Sequence, residues 1–306
     1  MQTKCQKKVI KQNKKDYSLL LFLLPGIVFL ILFRYAPMYG IITAFKDYNI
    51  FAGIQASPWV GLKHFRTLFN SSDFSRILVN TLRISVGKIL VTFPLSILVA
   101  IMINEIMHKH LKKLYQTILY LPHFLSWVIV AGLIQTALSP SGGIVNQAIT
   151  AIGGQPISFM MDKIWFPIVV ILADCWKEVG YKAIVYIAAI TGISTELYEA
   201  AALDGAGKIK QMIHVTIPGI MPTIIMMLVL QLGSVLNANT EQILLMYNPT
   251  VYETGDVIGT YVYRMGLTSM NYSYATAVGL FESLVGFALV MAGNYFSKKV
   301  AGRSAW

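Results

Sequence analysis

STELYEAAALDGAGKIKQMIHVTIPGIMP, residues 194–222, is the stretch that decides how the rest of the chain reads. Ser194 or Thr195 suits a helix N-cap, because a short side-chain oxygen can accept from the first free backbone N–H groups. Glu196 and Glu199 then fall in the opening turns, where the helix dipole favours acids. Tyr198, Ala201 and Ala202 can share one small-residue face. Asp204-Gly205 ends that helix. A second short helix is expected through Ile209, Met212 and Ile213, with Lys208, Lys210 and Gln211 opposite. Pro218 and Pro222 mark entry into an apolar run. On physics alone this is a polar helical loop between two apolar segments.

The apolar character extends through most of the chain. Its 306 residues are 56% hydrophobic and only 13% charged, with mean hydropathy +0.61. Soluble domains carry about 25% charge. A disordered chain is excluded, because such chains are poor in apolar residues. Two cysteines in this length exclude a disulfide-stapled secreted domain. Cys5 and Cys175 are not expected to pair.

Crossing the hydrocarbon core takes about 20 apolar residues. Six spans are expected, at about 17–36, 82–104, 114–138, 165–190, 218–238 and 274–297. The chain is therefore read as an all-α polytopic membrane protein. One transmembrane domain, 17–297, lies between a basic tail, 1–16, and a short C-terminal tail, 298–306. In the second span Arg83 and Lys88 are expected to snorkel outward on their long stems. The fourth span is unusual. Asp174, Lys177, Glu178 and Lys182 stand at i,i+3 and i,i+4 spacings and crowd one face. That face turns either to a cavity or to a partner helix. Glu282 in the sixth span has no assigned partner. Arg34-Tyr35-Ala36-Pro37 follows the first span without a small-x-small cleavage site, so an uncleaved anchor is expected.

The net charge of +11 would ordinarily suggest nucleic acid, but its distribution is topological. Six tail lysines (Lys4, Lys7, Lys8, Lys11, Lys14, Lys15) join Lys109, Lys112, Lys113, Lys208, Lys210, Lys298, Lys299 and Arg303 on one side. Arg34, Lys46, Lys63, Arg66, Arg76, Lys163 and Arg264 lie on the other, over longer connections. Fourteen against seven places both termini in the cytoplasm by the positive-inside rule. No nucleic-acid role is expected.

Glu199-Ala200-Ala201, then three residues, Gly205, then nine residues and Val215-Thr216-Ile217-Pro218, resembles the EAA loop of ABC importer permeases. Glu199-Ala-Ala-x-x-Asp204-Gly205-Ala206 is similar to its sugar-permease form. Val215 and Ile217 stand where Ile and Leu are usual, and both swaps keep an apolar face. The resemblance implies a type I importer transmembrane domain whose loop, 194–217, is a cytoplasmic coupling helix docking on an ATP-binding subunit. Glu199, Ala200, Ala201, Asp204, Gly205, Ala206 and Pro218 are its residues here. Trp59-Val60-Gly61-Leu62-Lys63-His64-Phe65, Phe74 and Asn80-Thr81 resemble the external loop and second-span entrance of sugar-uptake permeases. A narrower likeness, to permeases for complex oligosaccharides and polysaccharide fragments, rests on Tyr247-Asn248-Pro249, Asp256, Thr260-Tyr261-Val262-Tyr263-Arg264, Ala277-Val278-Gly279-Leu280-Phe281 and Trp306. Asn239-Thr240-Glu241-Gln242 departs from that branch, which usually has an aromatic before the acidic residue. The resemblance further implies a second permease subunit, two cytoplasmic ATP-binding subunits, an extracellular solute-binding protein and a bacterial plasma-membrane location.

The chain carries no phosphate loop: Ala202 and Ile209 replace the glycine and hydroxyl residue that would flank Gly207-Lys208. No cofactor is expected on this chain, and ATP with Mg²⁺ would be used by partner subunits. His108-x-His110 has only Glu105 nearby, so no metal is expected. No catalytic site is expected, since no local nucleophile–base motif occurs. Substrate-pathway candidates are the intramembrane polar groups. Asp174, Trp176, Glu178 and Tyr181 form one set; Asn237, Asn239, Glu241 and Gln242 form another. Gly233 and Ser234 just before the second set would allow close packing or a bend. The competing readings are an ion-coupled secondary sugar carrier, with the span-four charges as relay, and a membrane enzyme acting on a glycolipid.

Overall fold

The computed structural model describes residues 21–301, with side chains as far as residue 295. The tail 1–16 with Cys5, the opening of the first span at Tyr17, the side chains of Lys298 and Lys299, and Arg303 and Trp306 lie outside the described residues. Within them the fold is all-helical, apart from a single bridge between Lys46 and Trp59.

Helix α1, Leu21–Phe45, is exposed along most of its length. It passes through a π turn at Ile31–Tyr35 into a 3₁₀ segment at Ala36–Phe45, which begins beside Pro37. Proline brings no N–H to an α ladder, so the change of pitch sits where the donor is missing. Short α2, Lys63–Asn70, leads into α3, Ser72–Asn104. The region expected as one third span is two helices, α4 at Lys109–Phe124 and α5 at Trp127–Ala137, meeting at 98°. Pro122 and the N-cap Ser126, which accepts from Ile129 N, explain the break.

After α6, Ile144–Ala151, comes α7, Trp165–Thr191, which packs along α3. Gly180 makes its contact with α4 close, because any Cβ there would overlap the Leu119 carbonyl. Helix α8, Thr195–Leu203, precedes α9, Lys208–Gly233. The short helix expected through Ile209, Met212 and Ile213 is continuous with the span expected from residue 218. A π turn at Met212–Thr216 lets the helix run through the proline, so α9 starts ten residues earlier than expected. Helices α10, Thr240–Met246, α11, Ile258–Tyr263, and α12, Tyr272–Ala301, complete the chain.

Helices α1, α3, α9 and α12 are long and apolar enough to cross a membrane, and the bent α4–α5 pair makes a fifth. Helix α7 has 27 residues but carries four charges at its centre. Three apolar clusters hold the bundle. One joins α3, α5, α7 and α10 around Ile84, Phe166 and Ile243. A second packs α2, α3, α11 and α12 around Leu68, Ile77 and Val278. A third joins α3, α7 and α9 through Ala100, Tyr186 and Ile220.

Candidate functional site

Two features stand out, a polar cavity between α3, α7 and the end of α9, and the 194–217 loop at one end of the bundle.

The loop is built from local capping. The Ser194 hydroxyl accepts from Glu196 N at 3.3 Å. At the other end Ala206 N donates to Ala201 O at 2.9 Å, and Gly205 N donates to Ala202 O at 3.0 Å. This is a Schellman closure, with Gly205 at φ +77° as its left-handed residue. A Cβ there would meet nothing within 4 Å, so backbone conformation and not crowding asks for glycine. The Tyr198 hydroxyl lies 3.0 Å from Thr216 Oγ1, and Gln211 Nε2 donates to Ala206 O at 2.9 Å. Lys208 pairs with Glu105 at the end of α3, at 2.9 Å. Helix α8 is thus tied to the bundle while burying none of its own residues. Glu199, Ala200, Asp204 and Gly205 are exposed, and Leu203 is 90% exposed.

Among the described residues none of the i,i+3 or i,i+4 pairings open to the α7 charges forms. Lys177 Nζ donates to His123 O at 2.5 Å, Leu125 O at 2.8 Å and Pro122 O at 3.4 Å. The α4–α5 break leaves the His123 and Leu125 carbonyls to the ammonium, while Pro122 O also accepts from Leu125 N at 3.2 Å, so one buried ammonium caps the bend. The Trp127 ring lies under the same ammonium. Glu178 accepts from His123 Nδ1 at 3.1 Å and lies 3.9 Å from Lys177. Asp174 pairs with Lys88 of α3 at 3.4 Å. Lys88 does not snorkel. It is buried, and it also donates to Gln242 Oε1 at 2.5 Å and Ala238 O at 2.9 Å. Ala238 and Asn239 both have left-handed backbone, φ +50° and +56°, between α9 and α10. Such consecutive non-glycine residues are costly unless neighbours hold them, and Lys88 grips the first.

The cavity, about 350 Å³, is lined by Ser85, Lys88, Ile89, Asp174, Glu178, Lys182, Gln231, Ser234, Val235, Asn237, Ala238 and Asn239. Four of the eight proposed pathway residues therefore meet there: Asp174, Glu178, Asn237 and Asn239. Gln242 is instead fully buried, bridging Lys88 and Val170 O. Glu241 is exposed and does not line the cavity. Trp176 lines a separate apolar recess with Trp165 and Leu172. Tyr181 stacks on His123 with centroids 3.7 Å apart. Gly233 abuts Val290, the close packing expected of that pair, and the helix ends beside it with Ser234 as C-cap. The sequence reading missed Lys88, Ser85 and Gln231. A lone lysine or glutamine in an apolar run was the available signal.

Residues 92–302 match the family described as "Binding-protein-dependent transport system inner membrane component". The chain belongs to this family. It is the membrane component of an ABC importer, and the family is not a catalytic one. The permease is 43% identical to the polygalacturonan/rhamnogalacturonan transport system permease protein YteP of Bacillus subtilis (strain 168), covering 95% of this chain and 90% of the relative. It is 41% identical to protein LplB of the same organism, covering 94% and 90%. Its structure superposes with TM-score 0.88 and 44% identity on a crystal structure of a bacterial ABC transporter involved in the import of the acidic polysaccharide alginate, covering 96% and 99%. Another match at the same score and identity is a bacterial alginate ABC transporter in complex with alginate pentasaccharide-bound periplasmic protein.

Several residues that carried the narrower resemblance turn out to be scaffold of the permease. Buried Asp256 holds Arg264 through two oxygens, at 2.5 and 3.1 Å, and accepts from Thr260 at 2.7 Å. Burial opposes the Arg264 charge, but Asp256 outweighs it and raises the guanidinium above its ordinary value. Asn80 donates to Glu253 O and Asp256 O, and the Thr81 hydroxyl accepts from Ile258 N. Asn248 donates to Met160 O. These bonds brace 248–264 against the first turns of α3 and the segment before α7, at the end of the bundle opposite the 194–217 loop.

Proposed function

We propose that this permease is one transmembrane subunit of an ATP-driven importer of oligosaccharides or polysaccharide fragments, working by alternating access. The observation that carries the reading is near-full-length likeness, above 40% identity, to proteins named for polygalacturonan, rhamnogalacturonan and alginate transport. In this reading it pairs with a second permease subunit, two cytoplasmic ATP-binding subunits and an extracellular solute-binding protein. The ATP and Mg²⁺ belong to the ATP-binding subunits. The chain crosses six times, with α7 as the fourth crossing and both termini in the cytoplasm, as the basic-residue asymmetry supports. Helix α8, with Glu199, Ala200, Ala201, Asp204, Gly205 and Ala206, docks on an ATP-binding subunit. Pro218 lies in α9, which carries the movement inward. The exposed Leu197 and Leu203 on a helix that buries nothing support that role. The cavity between α3, α7 and α9 forms this subunit's share of the sugar pathway. A loaded binding protein shifts the equilibrium only if it favours one conformation over the other.

The test is uptake by vesicles containing the reconstituted complex, given binding protein and labelled galacturonan oligomers. Uptake should need trapped ATP and persist when ion gradients are collapsed. Gradient-driven uptake by the single purified chain would support the secondary-carrier reading instead.

A further inference from the structure

Resting on that reading, we infer that Lys182 is the residue by which this subunit recognises the carboxylate of a uronic acid, making the pathway selective for acidic oligosaccharides. The cavity carries four ionic side chains, and three are already engaged. Lys88 and Asp174 pair at 3.4 Å. Glu178 is held by His123 at 3.1 Å and approached by Lys177 at 3.9 Å. Lys182 has no carboxylate within 4 Å among the described residues, although Glu178 lies one turn away on its own helix.

The position of Lys182 suits a ligand contact. It lines this cavity and also a neighbouring one, of about 270 Å³, which shares Gln231 and Ser234. The lysine therefore stands where the two spaces meet. An ammonium in a mostly apolar bundle favours an anion over leaving its charge to water alone. Gln231 and Ser234 beside it can donate to and accept from sugar hydroxyls. Ser85 Oγ, on the facing helix, has no hydrogen-bond partner among the described residues. Lys182 is thus the one cavity charge left without an ion pair among the described residues, set beside Gln231, Ser234 and Ser85, while the carboxylates Asp174 and Glu178 are engaged by Lys88 and His123. That matches a sugar ring bearing a single carboxylate better than a neutral sugar.

The experiment compares trigalacturonate with its methyl ester, which keeps the backbone and loses the charge. Initial ATP-dependent uptake is measured in vesicles of the complete complex for wild type, Lys182→Met and Lys182→Arg. The ratio of acid to ester uptake should fall about tenfold in Lys182→Met, the size of one charge-assisted contact, and stay near wild type in Lys182→Arg. A ratio changed less than about threefold in Lys182→Met would overturn the inference. That includes the case where both uptakes fall together because the lysine pairs with the partner permease. A wild-type complex that moves neither sugar defeats the importer reading itself, a distinct result.

Discussion

Lys177→Met offers the sharpest test of how the bundle is held together. The substitution keeps the stem volume and removes the ammonium that caps His123 O, Leu125 O and Pro122 O. Two of these bonds are short, at 2.5 and 2.8 Å, and the third is weak at 3.4 Å. A hydrogen bond to a charged group contributes about 1.5–3 kcal/mol, so the two short bonds are worth roughly 3–6 kcal/mol. Relief from burying the ammonium offsets part of this, leaving an expected loss of about 3 kcal/mol. Among the described residues no other ammonium reaches the break at 121–126, and His123 and Glu178 lose a neighbour as well. The assay is thermal unfolding of the detergent-purified complex. At about 2–4 °C per kcal/mol, the midpoint should drop by roughly 6–12 °C. Lys182→Met, which removes an ammonium with no ion pair among the described residues, should shift it by less than about 2 °C and serves as the control. If Lys177→Met melts within about 2 °C of wild type, the carbonyl-capping account of the bent pair is wrong.

Gly205→Leu forces a bulky side chain into left-handed backbone, costing about 1–2 kcal/mol locally, whereas Gly205→Asn tolerates that conformation. ATP-coupled uptake should therefore be lost in the first and largely kept in the second, with both chains still in the membrane. Gly180→Leu would drive a side chain into the Leu119 carbonyl, and overpacking of about 1–3 kcal/mol should show as a lower melting midpoint of the purified complex. Asp256→Asn leaves Arg264 without its two-point partner. Since Arg264 is partly exposed, the expected loss is about 2–3 kcal/mol, read by the same melting assay. Uptake at low temperature should survive that change if 248–264 is scaffold.

The parts of the fold that were legible in the sequence are those with local causes. Ser194, Glu196 and Asp204-Gly205 set both ends of α8 by capping, and the structure has those caps. Long apolar runs with few charges located α1, α3 and α12 for the same reason. The α4–α5 bend was visible only as Pro122, one residue inside an uncharged stretch that otherwise read as continuous. The α9 start was misplaced because a π turn absorbs Pro218, and nothing local announces such a turn. The cavity was half legible. Asp174, Glu178, Asn237 and Asn239 stood out as polar groups in apolar surroundings. Their partners did not, because the pairings that count are long-range. Lys88 meets Asp174 and Gln242 from another helix, and Lys177 meets carbonyls some fifty positions upstream. Helical spacing along α7 suggested i,i+3 and i,i+4 pairing, yet tertiary partners with better geometry won. Glu241, Trp176 and Tyr181 satisfied the same polar or aromatic criterion and point elsewhere, which spacing alone does not reveal.

In the proposed mechanism helix α8 transmits the ATPase movement to the sugar pathway. Placing the photo-cross-linker p-benzoylphenylalanine at Leu203 of the intact complex tests it directly. Leu203 is 90% exposed beside Gly205, and Phe51, 96% exposed, lies at the opposite end of the bundle as a control. The account predicts that illumination joins position 203 to an ATP-binding subunit and position 51 to the solute-binding protein. Absence of an ATP-binding subunit adduct at 203, or its appearance at 51, would contradict it.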